Sequence, residues 1–162
     1  MTEPPSPRIE LLADHPEVIP DLAAWFRDAW APYYGPDGPG DAEADLHQCC
    51  HPERLPIGLV AFCGDALCGT AALKTESVTT HRHLTPWLAA LLVGPEYRRR
   101  GVAERLIAAV EDLAGRRGFG TLYVGTGRGS GTPESALVKR GWEVVDKAPY
   151  FVSDVTIMKK AL

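Results

Sequence analysis

Apolar and polar positions change period several times along this chain, and each change marks an element. Arg8 to Leu12 alternates as an edge strand, and Asp14, Pro16 and Glu17 open a helix. To Trp30 its apolar residues Val18, Ile19, Leu22, Trp25, Phe26 and Trp30 keep a helical period. A short second helix is expected from Asp45 to about Cys50. Two runs, Ile57–Cys63 and Leu67–Leu73, then flank a tight Gly64-Asp65 connection and predict a hairpin. The polar stretch from Lys74 to Thr85 reads as a long sheet-to-sheet loop. Trp87–Val93 is an apolar strand halted by Gly94-Pro95. Beyond it Val102, Leu106, Val110 and Leu113 form one stripe of a helix reaching about Arg117, with Glu104, Arg105, Glu111 and Asp112 on its other side. Gly118 and Gly120 end that helix, and Thr121–Val124 is a buried strand. Thr132-Pro133-Glu134 starts a short helix ending at Gly141. Trp142–Val145 and Val152–Met158 alternate as a closing antiparallel pair.

This pattern predicts an α/β (α+β) fold with a mixed central sheet of about six to seven strands and about four helices. Residues 1–7, acidic and rich in proline, read as a disordered lead-in, and 8–162 as one domain. The hydrophobic share of 45% and charged share of 23% suit a soluble domain. A net charge of −4 gives no support to a nucleic-acid surface. No apolar run approaches the ~20 residues of a membrane span, and no leader peptide is visible, so a cytoplasmic location is expected. The four cysteines follow no zinc spacing. Within His47-Gln48-Cys49-Cys50-His51 the adjacent cysteines cannot easily serve one tetrahedral site, so no metal is expected.

Chemistry concentrates where the Trp87–Val93 strand meets its helix. Arg98, Arg99 and Arg100 precede Gly101, Val102 and Ala103. The first turn of a helix has N–H groups without intrahelical partners and carries partial positive charge. Glycine lets a ligand approach the backbone closely. A strand feeding an Arg-x-x-Gly-x-Ala turn therefore suits an anion, above all a pyrophosphate. The later Gly125-Thr126-Gly127-Arg128-Gly129-Ser130-Gly131 is a different case. A dinucleotide fingerprint needs a small residue at its sixth place, but Ser130 and Thr132 stand there in the two possible registers. No Gly-Lys-Ser/Thr follows, so a P-loop is excluded. The segment is left as a flexible turn or a loop over a bound cofactor, with Thr126 counted among the candidate cofactor contacts.

The strand–turn–helix resembles the acetyl-CoA site of the GNAT N-acetyltransferase superfamily, whose signature is Gln/Arg-x-x-Gly-x-Gly/Ala. Arg98, Gly101 and Ala103 occupy its three defined positions. The resemblance extends over roughly the whole chain beyond residue 8, including Leu137-Val138-Lys139-Arg140-Gly141-Trp142 and Leu55-Pro56-Ile57-Gly58-Leu59-Val60-Ala61. It implies acetyl-CoA as acyl donor and direct transfer to a primary amine, either a small molecule or a peptide N-terminus, by a monomer or homodimer. Backbone N–H groups of the Leu91-Leu92-Val93 segment would meet the pantetheine arm and thioester, with Leu92 at the reacting carbonyl. Arg98 through Ala103 would hold the pyrophosphate.

Acyl transfer needs a neutral amine, a donor for the developing oxyanion and a proton for the leaving thiolate. Many members of the family carry a tyrosine four residues before Gly141, where this chain has Leu137. Ser130, Ser135 and Tyr150 are the candidate substitutes as acid, and a thiol pKa of about 8.5 also permits protonation by water. Asp41, Glu43 and His47 are candidate bases. Tyr33 and Tyr34 head a Pro- and Gly-rich loop carrying Asp37, Asp41, Glu43 and Asp45. That loop is either an exposed acidic segment or the wall of a site attracting a cationic amine. Trp87 is read either as core or as lining the acceptor cleft.

Overall fold

A computed structural model describes residues 6–31, 33–127, 134–150 and 153–162, with Tyr150 and Ser153 described in backbone only. Among them, seven strands form one sheet in the order β1-β2-β3-β4-β5-β7-β6. The strands are β1 Arg8–Leu11, β2 Ile57–Cys63, β3 Ala66–Lys74, β4 Trp87–Val93, β5 Thr121–Gly127, β6 Glu143–Tyr150 and β7 Ser153–Ala161. Four α-helices accompany them: α1 Ile19–Ala29, α2 Ala42–Gln48, α3 Val102–Arg116 and α4 Glu134–Lys139. The β4–β5 pair is parallel and the other pairs are antiparallel.

Two apolar clusters cover the two faces of the sheet. On one face Leu106, Ile107, Val110 and Ala114 of α3 and Leu137 of α4 pack against Leu59, Leu73, Leu88 and Leu122. On the other, Ile19, Leu22 and Phe26 of α1 and Leu46 of α2 pack on Val60, Phe62, Ala72 and Leu92. The alternation along β4 follows: Leu91 and Val93 point to α3, Leu92 to α1 and α2. A third cluster, with Val78, Trp87, Val155 and Ile157, closes the end of the sheet where β4 begins.

Four local findings refine the sequence expectations. Helix α1 begins at Ile19, after short 3-10 turns at Leu12–Asp14 and Pro16–Val18. Helix α2 begins at Ala42 and not Asp45, because the Asp41 carboxylate accepts the Ala44 N–H at 3.1 Å and caps it. In the loop after β3, Val78 is buried and a 3-10 turn runs from Thr79 to His81, whose Nε2 lies 2.7 Å from Asp146 Oδ2. Pro7, placed with the lead-in from sequence, is buried and its carbonyl accepts a bond from Arg105 Nη2 at 3.1 Å. Residues 1–5 lie outside the described residues.

Candidate active site

The parallel strands β4 and β5 pair only at Trp87 with Tyr123 and Leu88 with Val124. Beyond that point they part. The cause lies on the opposite edge of β4: Ala89 stands opposite Ala72 and Leu92 opposite Thr70, so Ala90 and Leu91 together face Ala71. This is a β-bulge, and it bends the strand that carries it. Ala90 sits at φ +54°, a left-handed conformation that an L side chain adopts at a cost. The strain is confined to the place where the strand turns away from its parallel neighbour.

The register also decides which backbone groups the gap receives. Gly94 N–H donates to Cys68 O on β3 at 2.9 Å. Backbone groups alternate between the two edges of a strand, so Leu92 faces β3 while Leu91 and Val93 face the gap. Leu92, the residue expected at the reacting carbonyl, lies on the β3-facing side of this alternation. Leu92 buries its side chain against α1 and α2, and by this alternation the outward-facing backbone groups are those of Leu91 and Val93.

The gap leads into the arginine turn. A 3-10 turn over Pro95–Tyr97 follows Gly94, and Gly94 itself leaves room for Trp25: a Cβ there would lie 2.9 Å from the indole. Arg98, Arg99 and Arg100 are all exposed. Arg100 lies over the Tyr97 ring, its guanidinium carbon 5.7 Å from the centroid, and the three arginines make no ion pair with a described residue. Arg99 has φ +65° and Gly101 φ +79°, and a Cβ on Gly101 would meet nothing within 4 Å. Glycine is thus required here by the backbone conformation, and the space before it is open. The first helical bond of α3 is Arg105 N–H to Gly101 O, 3.1 Å, and no side chain caps the helix. The N–H groups of Val102, Ala103 and Glu104 accordingly have no intrahelical partner, next to three uncompensated cations.

On the α1/α2 face a small cleft, with room for about one water molecule, lies between these helices and the bulge. Its lining includes Phe26, Asp45, Leu46, Lys74 and Ala90. Asp45 is held by the Tyr34 hydroxyl, which donates to Oδ2 at 2.7 Å. Tyr34 packs on Phe26 and Trp30, and Tyr33 meets it edge-on, with ring centroids 4.8 Å apart. The four carboxylates of the acidic segment therefore have different circumstances. Asp41 caps α2, Asp45 reaches the cleft, and Asp37, Glu43 and also His47 are exposed. Trp87, expected either in the core or along the acceptor, is fully buried. Its indole N–H donates to Leu84 O at 2.7 Å and its ring lies 5.7 Å from that of Tyr123, which makes it core.

The sequence model of the acetyltransferase (GNAT) family matches residues 22–142, from α1 through β4, the arginine turn and α3 to Trp142. The chain belongs to the GNAT acetyltransferase family. No curated relative matches it. Solved GNAT structures share its fold over nearly their full length. An aminoglycoside 6'-N-acetyltransferase complexed with coenzyme A is 18% identical with a TM-score of 0.73, covering 95% of this chain and 96% of that one. The aminoglycoside 6'-N-acetyltransferase from Enterococcus faecium is 19% identical with a TM-score of 0.72, again covering 95% and 96%. A GCN5-related N-acetyltransferase from Rhodopseudomonas palustris is 25% identical with a TM-score of 0.65, covering 100% and 98%.

Of the candidate acids in this GNAT domain, only Ser135 has a described side chain. Leu137, at the place of the family tyrosine, is 0% exposed and belongs to the α3-side core, so it has been given over to packing. Ser135 is exposed on α4. Ser130 and the Tyr150 side chain lie outside the described residues. Thr126 is buried on β5, past the point where β4 and β5 separate, so it borders the same divergence as Leu91 and Val93. Sequence reading missed the bulge at Ala90-Leu91, Lys74 in the cleft and Trp25 against Gly94. A left-handed alanine leaves no mark in composition or periodicity. The Trp25 contact had one signal, a glycine directly before a proline turn.

Proposed function

We propose that this GNAT protein moves an acetyl group from acetyl-CoA to a primary amine by direct transfer in a ternary complex. One observation carries the reading. The open edge of β4 presents the Leu91 and Val93 N–H groups and leads without interruption into Arg98–Arg100 and the uncapped start of α3. These residues suit an extended ligand with an amide-bearing arm and an anionic end. Leu91 and Val93 would align the arm as an added strand and donate to its oxygens. Arg98, Arg99 and Arg100, with the N–H groups of Val102 and Ala103, would hold the pyrophosphate, and Gly101 leaves its approach clear. Acetyl-CoA supplies an activated thioester carbonyl, and much of the catalysis then follows from position.

The acceptor is read as a small-molecule amine or a peptide N-terminus approaching β4 from the α1/α2 side. Support comes from Asp45, whose carboxylate lines the small cleft there in an orientation fixed by Tyr34. An ammonium would be drawn there before losing its proton. Glu43 and His47, exposed on α2, are in a position to pass that proton to water, and the leaving thiol takes its proton from Ser135, Tyr150 or solvent. The aminoglycoside acetyltransferases that share the fold act on amines, which supports this acceptor chemistry.

A second reading, an acyl-CoA-binding domain with weak catalysis, is favoured by the burial of Leu137 where relatives keep an acid. Thiol release from acetyl-CoA, measured against a panel of amines and peptide N-termini, separates the two. Saturable, amine-dependent release supports the transferase; tight acetyl-CoA binding with release no faster than without amine supports the binding domain.

A further inference from the structure

The β2–β3 hairpin carries a second chemical feature outside the acyl-transfer site. Its register slips by one residue between Ala61 and Phe62: Cys63 stands opposite Ala66 and Phe62 opposite Leu67, but Ala61 stands opposite Gly69. Cys68 is therefore the extra residue of a bulge, and its side chain turns to the face covered by α3, where Cys63 also points. The Cys63 thiol donates to Cys68 Sγ at 3.0 Å, against about 2.05 Å for a disulfide bond. Both are free thiols. Their access differs: Cys68 is 0% exposed, while Cys63 is half-buried at the end of its strand.

We propose that Cys63 and Cys68 form a reversible intramolecular disulfide by exchange with a low-molecular-weight disulfide. The accessible Cys63, as thiolate, attacks one sulfur of the small disulfide, and one small thiol leaves. Cys68 then gives up its proton and attacks Cys63 Sγ, releasing the second small thiol. The protein loses two electrons and two protons, and the small disulfide gains them as two thiols. The order of attack follows from position, and burial together with the neighbouring Cys63 pushes the Cys68 thiol up to about 12, which leaves Cys63 as the entering nucleophile. The bond would lock a bulge whose Cys68 carbonyl accepts the Gly94 N–H, at the point where β4 passes into the arginine turn.

The other two cysteines provide an internal control. Cys49 is buried and burial raises its thiol, and Cys50 Sγ points to Leu12 O at 3.7 Å. The test incubates the intact, folded protein with oxidised glutathione and follows with intact mass and peptide mapping under non-reducing conditions. The expected result is a mass lower by two hydrogens, a cross-linked peptide joining Cys63 to Cys68, and return to the starting mass with dithiothreitol. The double variant Cys49→Ser/Cys50→Ser should behave in the same way, and Cys63→Ser should lose the bond. A persistent glutathione adduct without ring closure, a cross-link through Cys49 or Cys50, or an unchanged mass would each overturn the proposal.

Discussion

Helix α3 has positive charge gathered at two places, and the two are treated in opposite ways. Along its flank, Glu111 is only 8% exposed and takes four donors: Arg140 Nη2 at 2.5 Å and Nε at 3.2 Å, Trp142 Nε1 at 2.9 Å and Lys160 Nζ at 3.1 Å. Burial pushes the Glu111 carboxyl up, but Arg140, Trp142 and Lys160 together hold it below the usual glutamate range. At its N-terminus, three arginines stand in solvent without a carboxylate partner among the described residues, beside N–H groups that the helix cannot use. The first arrangement is satisfied within the chain and ties α3 to the turn between α4 and β6 and to β7. The second has no ion-pair partner among the described residues. Compensated charge marks a structural joint, and uncompensated charge set against orphan backbone donors is where we propose that the pyrophosphate binds.

Substitution can break this contrast from either side. Glu111→Ala leaves Arg140, Lys160 and the Trp142 N–H without their acceptor and should cost about 3 kcal/mol of stability. Urea unfolding reads that loss, while the acetyl-CoA affinity of the remaining folded protein should not change. At the other end, Arg98→Glu should weaken acetyl-CoA by about 30-fold, the equivalent of about 2 kcal/mol for a charged contact, and leave the melting temperature near wild type. Gly101→Ala forces a Cβ onto a left-handed position and should cost about 1 kcal/mol of stability while also weakening acetyl-CoA, both measurable on one preparation. Asp45→Asn should raise the KM for amines by about fivefold with the KM for acetyl-CoA unchanged, in line with about 1 kcal/mol for a partly exposed charge.

The same contrast has a pH dependence. The Glu111 carboxyl has a lower pKa folded than unfolded. Its contribution to stability is therefore complete above the ordinary glutamate pKa and is lost as pH falls through the folded value. The stability difference between wild type and Glu111→Gln should shrink as the solution is acidified over that range. A difference that grew on acidification would show that the carboxylate is not what Arg140 and Lys160 require.

How much of this the sequence disclosed depends on whether local pattern or tertiary pairing decides a feature. The stripe of Val102, Leu106 and Val110, the strand Trp87–Val93 and the Gly64-Asp65 connection were legible because burial imposes a period. The arginine turn was legible because Arg98, Gly101 and Ala103 lie close together in sequence. Whether Leu91, Leu92 or Val93 faces the gap depends on a bulge set by the register with β3, which no local pattern carries. Asp41 read as part of the acidic loop, and only the Ala44 contact shows it as the cap of α2. Glu111 read as part of the polar face of α3; its partners Arg140, Trp142 and Lys160 arrive from 29 or more residues away. Trp87 was legible as core or as acceptor lining, and core is what Leu84 and Tyr123, from a loop and another strand, make it.

The most direct test of the open edge and arginine turn is a calorimetric titration of the intact protein with acetyl-CoA, with NADH run beside it. The account predicts saturable binding of acetyl-CoA and no saturable heat with NADH, since the late glycine-rich segment lacks a dinucleotide fingerprint. Absence of acetyl-CoA binding, or equal binding of the two, would contradict it.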